Sequence, residues 1–308
     1  MIINNLAGGI GNQMFQYAMG KSLAQENDIP ILYSDTFDQY DYNFPKIVDI
    51  FDLNIKFATD NQMTSLHSFM RYSFIRRASS KLCNILGRQL FPGCTYDLHN
   101  GYSPIELMED RQLHYLHGTW QSESYFKDFK TEILKDFKFK QTRFLSEIDP
   151  SFKDSKVKIG VHIRRGDYIS NPKAASKLGI QPLKYYIDNL SMFRRKFPSS
   201  KFYVFSDDIH WARSKLSSFF NEIYFCEGKK MNAASDLQML SQCDHFVLSN
   251  STFGWWGAYL SKNFNPTVIY PKVWFSDGSS MSGLIPKNWT KSMADLEANW
   301  ASSKNYKG

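Results

Sequence analysis

Residues 158–163 read KIGVHI, and Arg164-Arg165-Gly166-Asp167 follow at once. A short apolar run closed by charge and glycine is the pattern of a strand buried on both faces. Beyond it, apolar residues recur at helical spacing over 182–197 (PLKYYIDNLSMFRRKF), and KFYVFS (201–206) reads as the next strand. The alternation continues with a helix over 211–220, strand IYFC (223–226), helix SDLQMLSQC (235–243) and strand HFVLS (245–249). Helix TFGWWGAYLS (252–261) and strand TVIYP (267–271) complete it. Strands and helices alternating at this period specify a parallel sheet covered on both faces.

A similar unit opens the chain. MIINNL (1–6) reads as a buried strand and AGGIG (7–11) breaks it. Met14, Phe15, Ala18, Met19 and Leu23 then fall at helical spacing, and IPILYS (29–34) is a second strand. The region up to about residue 150 is less regular, with a strand at 112–119 and a helix over 125–137. The expectation is an α/β protein of two domains facing a cleft, spanning 1–150 and 151–290. The segment 291–308 should be a helix packing back on the first domain.

The chain has 308 residues, of which 43% are hydrophobic and 22% charged, which excludes large-scale disorder. No stretch of 18 apolar residues occurs, so no transmembrane helix is expected. The N-terminus lacks a basic segment ahead of an apolar run, so no signal peptide is expected and the protein should be soluble and cytoplasmic. Cys83, Cys94, Cys226 and Cys243 show no CxxC spacing; Cys226 and Cys243 lie in apolar runs and read as buried thiols. His114 and His117 are three apart in an expected strand and so face opposite ways, which argues against a metal site.

The net charge is +7 and is unevenly placed. Residues 61–96 hold no acid but include Arg71, Arg76, Arg77, Lys81 and Arg88. Leu66, Met70, Phe74, Leu82, Ile85 and Leu86 run beside them at helical spacing. This stretch reads either as a solvated basic face or as a contact with anionic lipid at the inner membrane face. No recognisable nucleic-acid module accompanies the charge.

Ligands of open parallel sheets bind at the carboxyl ends of the strands. Those ends carry His162 to Asp167, then Ser206-Asp207-Asp208, then Ser249-Asn250-Ser251-Thr252. An arginine fork at a strand end suits a diphosphate; the plainer use is an Arg164–Asp167 or Arg165–Asp208 ion pair that fixes the loop. Ser249 to Thr252 open a helix, where hydroxyls cap and backbone N–H groups hold phosphate. Asp207, Asp208 and Asp236 are the acids of this edge. A carboxylate there accepts the paired donors of guanine, although these residues alone do not choose guanine over adenine. Gly9, Gly11 and Asp35 resemble an incomplete nicotinamide-dinucleotide fingerprint, with Met14 at the third glycine position.

Four segments, GGIGNQMFQYA (8–18), GVHIRRGDY (160–168), YVFSDD (203–208) and LSNSTFGWWGAYL (248–260), resemble the bacterial α-1,2-fucosyltransferases of glycosyltransferase family eleven, as does WQSESYF (120–126). The resemblance implies two Rossmann-like domains of the GT-B type, GDP-β-L-fucose as donor, and no metal or other cofactor. Fucose would pass to the 2-hydroxyl of a galactose residue with inversion. Arg164 would bind the β-phosphate and stabilise departing GDP. His162 and Asp236 would read guanine, and Ser251 and Thr252 would hold phosphate. Gly11 and Asn12 would approach the donor. Ser206, Asp207, Asp208 and Asn250 complete the expected donor set, and Gln13, Trp120 and Asp35 the acceptor set. Asp167 is the candidate base, with Asp35, Asp38 and Glu123 as rivals and Asn12 as an alternative that orients the hydroxyl. Two other functions fit parts of the chain: a nicotinamide-dependent oxidoreductase using the glycine loop, and a non-catalytic glycan or nucleotide-sugar binder.

Overall fold

The computed structural model describes residues 1–35, 45–63, 94–96, 102–105, 107, 113–141, 147, 149–153, 157–227 and 232–292. The basic residues Arg71 to Arg88, Asp38 and the segment 293–308 lie outside the described residues, as does the side chain of Asp167. The chain forms two compact units. One comprises Met1–Lys140 with Ser282–Ile285, the other Gln141–Met281 with Pro286–Gly308. The division falls earlier than residue 150 because Asp149 is held by the second sheet, where Lys201 (2.7 Å) and Tyr203 (2.9 Å) reach its carboxylate.

The first unit contains β1 (Ile2–Asn5), α1 (Ile10–Glu26), β2 (Ile31–Ser34), α2 (Ile47–Ile50), β3 (Cys94–Tyr96), β4 (His114–His117) and α3 (Lys130–Asp136). Its sheet is wholly parallel, in the order β2-β1-β4-β3. All four residues of β1 are buried, asparagines included. Their side chains bond sideways: Asn4 donates to the Gln16 carbonyl (2.6 Å) while its Oδ1 has no partner among the described residues, and Asn5 accepts from Ser34 (3.2 Å) and meets His117 Nδ1 (3.3 Å). The helix expected over 125–137 is in fact two 3-10 turns, Glu123–Tyr125 and Lys127–Phe129, followed by α3. Phe126 is drawn into the core against Phe15, and its φ of −138° breaks the helical path.

The second unit runs β5 (Val157–Ile163), α4 (Gly166–Ser170), α5 (Pro172–Leu178), α6 (Leu183–Lys196), β6 (Ser200–Ser206), α7 (Ile209–Leu216), β7 (Ile223–Phe225), α8 (Ala233–Leu240), β8 (His245–Leu248), α9 (Thr252–Tyr259), β9 (Val268–Tyr270) and β10 (Thr290–Lys291). Its sheet is also parallel throughout, in the order β10-β9-β8-β5-β6-β7. The first strand in sequence, β5, is central. The chain winds outward through β6 and β7, then returns beside β5 as β8 and winds the other way. Strand direction of winding therefore reverses between β5 and β8, the point where such sheets open a ligand crevice.

Residue 291, assigned from the sequence to a C-terminal helix, lies in β10, which adds to the edge of the second sheet beside β9. Ser292 follows it inward, 3% exposed, and takes a hydrogen bond from Asn189 (2.9 Å). The core beneath the switch point is aromatic, with Trp255, Trp256, Tyr185 and Phe202 fully enclosed. No helix among the described residues is long and apolar enough to cross a membrane.

Candidate active site

Register places the three strand ends of the second unit side by side: Ile163 lies opposite Ser206, and His162 opposite Leu248. The two arginines after β5 then diverge, because adjacent residues leave a strand on opposite faces. Arg165 lies flat on Trp211, 3.8 Å from the ring centroid, with Nε 3.4 Å from Asp208. It serves as a clamp between β5 and α7, and the Arg165–Asp208 pair anticipated as the plainer alternative is present. Arg164, 30% exposed, faces the strand-end side and meets Asp207 through Nε at 3.2 Å.

Asp207 is the organiser of this loop. One carboxylate oxygen accepts from the Arg165 N–H (2.8 Å), and the other from the Gly166 N–H (3.0 Å) and from Arg164. Asp208 caps α7 by accepting from the Trp211 N–H (3.2 Å), and Ser206 Oγ accepts from the Asp208 N–H (3.0 Å). These three residues, expected in the donor set, shape the turn that presents Arg164.

His162 is also turned inward. It is 5% exposed, its Nδ1 lies 2.8 Å from Ser249 Oγ, and its ring stacks on Phe253. Burial, reinforced by the Arg164 charge, pushes its pKa down to about 3, so the imidazole is neutral. Through Nδ1 it orients the turn into α9. Gly254 makes the fit possible, since a Cβ there would sit 2.7 Å from His162 Nδ1. Gly254→Ala should therefore cost about 1–3 kcal/mol, read as a lower urea midpoint; an unchanged midpoint would show that the ring has room to yield.

Asn250 departs from expectation for a similar reason. Its amide nitrogen donates to the carbonyls of Leu178, Gly179 and Trp274, and its Oδ1 accepts from Gln181 (3.1 Å). It is 1% exposed and its side chain joins three loops. Ser251 occupies the cap position of α9 in extended conformation without its hydroxyl closing onto the first turn. The first-turn N–H groups of α9, beginning at Thr252, carry no acidic residue beside them, an arrangement that attracts an anion.

Asp236 lies in the first turn of α8, behind an Asn232–Ser235 capping box. Its Oδ1 is buried and without a hydrogen-bond partner among the described residues. Burial raises its pKa to about 7. A largely buried carboxylate left unsatisfied is costly unless a ligand completes it.

In the first unit the glycine loop closes around β1 and β4, where winding also reverses. Gly8 takes a φ of +76°, which glycine alone adopts without strain, and Gly9 leads into α1. Gln13 donates to the Gly8 (2.8 Å) and Pro45 (3.1 Å) carbonyls and accepts from the Ile47 N–H (2.9 Å). Expected in the acceptor set, it ties the glycine loop to the segment at Pro45–Ile47. Asn12 Oδ1 accepts from Gln121 (3.0 Å), and Gly11 is buried beside it. Trp120 is 2% exposed with a φ of +53°, so its ring belongs to the core. Asp35 is paired to Lys46 at 2.6 Å, and Glu123 to Lys130 at 3.5 Å. Met14, at the third glycine position of the fingerprint, is fully buried. Sequence reading did not single out Gln121, although the WQSESYF segment contains it, nor Tyr168, whose hydroxyl donates to the Asn250 carbonyl (3.0 Å).

The fold and site thus define an α/β protein with two parallel sheets, whose second sheet presents an arginine, a helix N-terminus and an unsatisfied carboxylate at one edge. The family profile described as Glycosyl transferase family 11 matches residues 104–292, and the chain belongs to that family. It is 31% identical to the alpha-1,2-colitosyltransferase of Escherichia coli over 94% of this chain and 98% of that one. It is 26% identical to galactoside alpha-(1,2)-fucosyltransferase 2 of Sus scrofa, over 91% of this chain and 81% of the relative. An Arg-to-Lys mutant of Arabidopsis thaliana FUT1, solved with GDP, shares the fold at TM-score 0.51 and 15% identity, covering 87% of this chain and 70% of that one. The protein is a glycosyltransferase, and the nicotinamide reading of the glycine loop falls away.

Proposed function

We propose that this glycosyltransferase moves L-fucose from GDP-β-L-fucose to the 2-hydroxyl of a galactose residue in a glycan, with inversion and without a metal ion. The observation that carries the reading is that Arg164, the α9 N-terminus and Asp236 each follow the carboxyl end of a strand in the second unit's parallel sheet, with one Asp236 oxygen unpartnered among the described residues. Each suits one part of GDP. The Asp236 carboxylate accepts both donors on the guanine pairing edge. Ser251, Thr252 and the first-turn N–H groups of α9 take phosphate oxygens. Arg164 exchanges Asp207 for the β-phosphate.

In the reaction the acceptor 2-hydroxyl oxygen forms a bond to the anomeric carbon as the bond from that carbon to the β-phosphate oxygen breaks. The electron pair of the broken bond goes to GDP, and the hydroxyl proton passes to a base. Negative charge grows on the diphosphate, where Arg164 and the helix N-terminus stand ready, which is the usual largest catalytic contribution. Those fixed donors do the work that a divalent cation would do. Asp167 is the assigned base, and Asn12 with Gly11 is assigned to positioning the acceptor hydroxyl and the sugar. A second donor sugar, colitose, is favoured by the 31% identity to a colitosyltransferase.

The test is a thermal shift with GDP in excess chelator, with NAD as control. At a hundredfold excess over Kd, GDP should stabilise the protein by about 2.7 kcal/mol, and NAD should not. Transfer is then measured from GDP-fucose and GDP-colitose to β-galactosides; no shift with GDP would refute the donor assignment.

A further inference from the structure

The glycine-loop end of the first unit carries a row of aromatic rings that leads from the core to the surface. Trp120, enclosed and strained at φ +53°, meets the edge of Tyr125 at 5.8 Å and 88°. Tyr125 in turn lies 5.0 Å from Tyr102, the outermost ring, which is 43% exposed. The row is tied to the candidate site by neighbouring residues: Gln121 reaches Asn12, and Ser122 donates to the Gly283 carbonyl at 2.7 Å.

Tyr102 is held rigidly although its ring faces water. Its N–H donates to the Ser282 carbonyl (2.9 Å), the Ser103 N–H donates to the Tyr125 hydroxyl (3.1 Å), and Pro104 keeps Ser103 extended. Gly283, at φ +72°, lies directly beneath; a Cβ there would stand 2.9 Å from the Tyr102 Cβ and 2.5 Å from Ser122 Oγ. Gly283 adopts its positive φ without strain, whereas Trp120 at +53° is a non-glycine residue held in that region. Strain of this kind collects where the chain presents a functional group.

The geometry points to Tyr102, backed by Tyr125, as a stacking platform for a pyranose ring of the glycan acceptor; the assignment rests on the glycosyl-transfer reading above. The chemistry of the patch selects this ligand class. Ser103 and Ser124 lie beside the rings, Ser122 is buried beneath them holding the Gly283 carbonyl, and the one acid among residues 118–126, Glu123, is paired with Lys130. A neutral surface of rings and hydroxyls suits an uncharged saccharide, whose C–H face lies on an aromatic ring while its hydroxyls find polar neighbours.

Saturation-transfer NMR with lactose, run with and without GDP on wild type, Tyr102→Phe and Tyr102→Ala, tests the assignment. Wild type and Tyr102→Phe should saturate the sugar C–H protons and bind with the same Kd, because the ring is retained. Tyr102→Ala should bind about tenfold more weakly, the loss of one aromatic contact, with an unchanged melting temperature. Equal binding by Tyr102→Ala, or no lactose binding by wild type, overturns the platform. The GDP thermal shift on the same samples reports on the donor site separately. A normal GDP shift without lactose binding removes the platform alone, and lactose binding through Tyr102 without a GDP shift keeps the platform and removes the donor reading.

Discussion

Arg164→Ala should abolish transfer and GDP binding together while the protein remains folded. The loop that carries Arg164 does not depend on its side chain, because Asp207 still accepts from the Arg165 and Gly166 N–H groups. What is lost is the guanidinium that meets charge growing on the leaving diphosphate, and the expected fall in kcat/KM is at least about 10³-fold. Lysine restores the charge but not the planar fork, so Arg164→Lys should recover only part of the loss. Arg165→Ala makes the contrast. That side chain is packed on Trp211 and paired with Asp208, so its removal should lower the urea midpoint first. Near-normal turnover by Arg164→Ala in a GDP-fucose assay would sink the assignment of leaving-group stabilisation to this residue.

Asp236→Asn should act on stability and on ligand binding in opposite directions. Burial raises the Asp236 pKa to about 7, above its ordinary value of 3.8, so the folded state holds a proton that the unfolded state has released between those pH values. The contribution to stability is fully present below pH 3.8 and is lost as pH rises through about 7. At pH 8 the wild-type carboxylate is charged, mostly buried and incompletely satisfied. The neutral amide removes that penalty, and the apo variant should melt a few degrees higher, each kcal/mol being worth about 2–4 °C in a protein of this size. GDP binding runs the other way. Two guanine donors need an ionised carboxylate, and an amide offers one acceptor and a clashing donor, so affinity should fall by roughly 10²-fold or more. Wild-type affinity should itself drop about tenfold per pH unit below 7, a slope absent from the variant. A variant that binds GDP normally, with the wild-type pH profile, would remove Asp236 from the base site.

Tightly packed aromatic groups explain why much of the second unit was readable in advance. KIGVHI, KFYVFS and HFVLS are apolar runs too short for helices, and each is closed by charged or hydroxyl residues at the strand end. Alternation with helices left a parallel sheet as the consistent arrangement, so the edge bearing Arg164, Asp207 and Ser251 followed from local pattern. The first unit was harder to read. Its strands β1, β2 and β4 are four residues each, and β1 carries two asparagines whose burial depends on Gln16, Ser34 and His117 far along the chain. The return of Ser282–Ile285 to the first unit had no local signal either, because a carbonyl at Gly283 meeting Ser122 is a contact across 161 positions.

Sequence alone determined the α/β class, the succession of most strands and helices along the second unit and the residue types at the strand ends, since all of these depend on periodicity and neighbouring residues. Only the tertiary structure decided which of those residues are offered to a ligand. Arg164 and Arg165 are identical in kind and adjacent, yet Arg165 is packed on Trp211 and paired with Asp208, whereas Arg164 pairs with Asp207. His162, Asn250 and Gln13 looked equally available, and each is consumed by partners between 32 and 87 positions away. Asp236 differs from Asp207 and Asp208 in that its burial leaves an oxygen unanswered. How each polar side chain is engaged depends on partners supplied by segments that a linear reading cannot bring together.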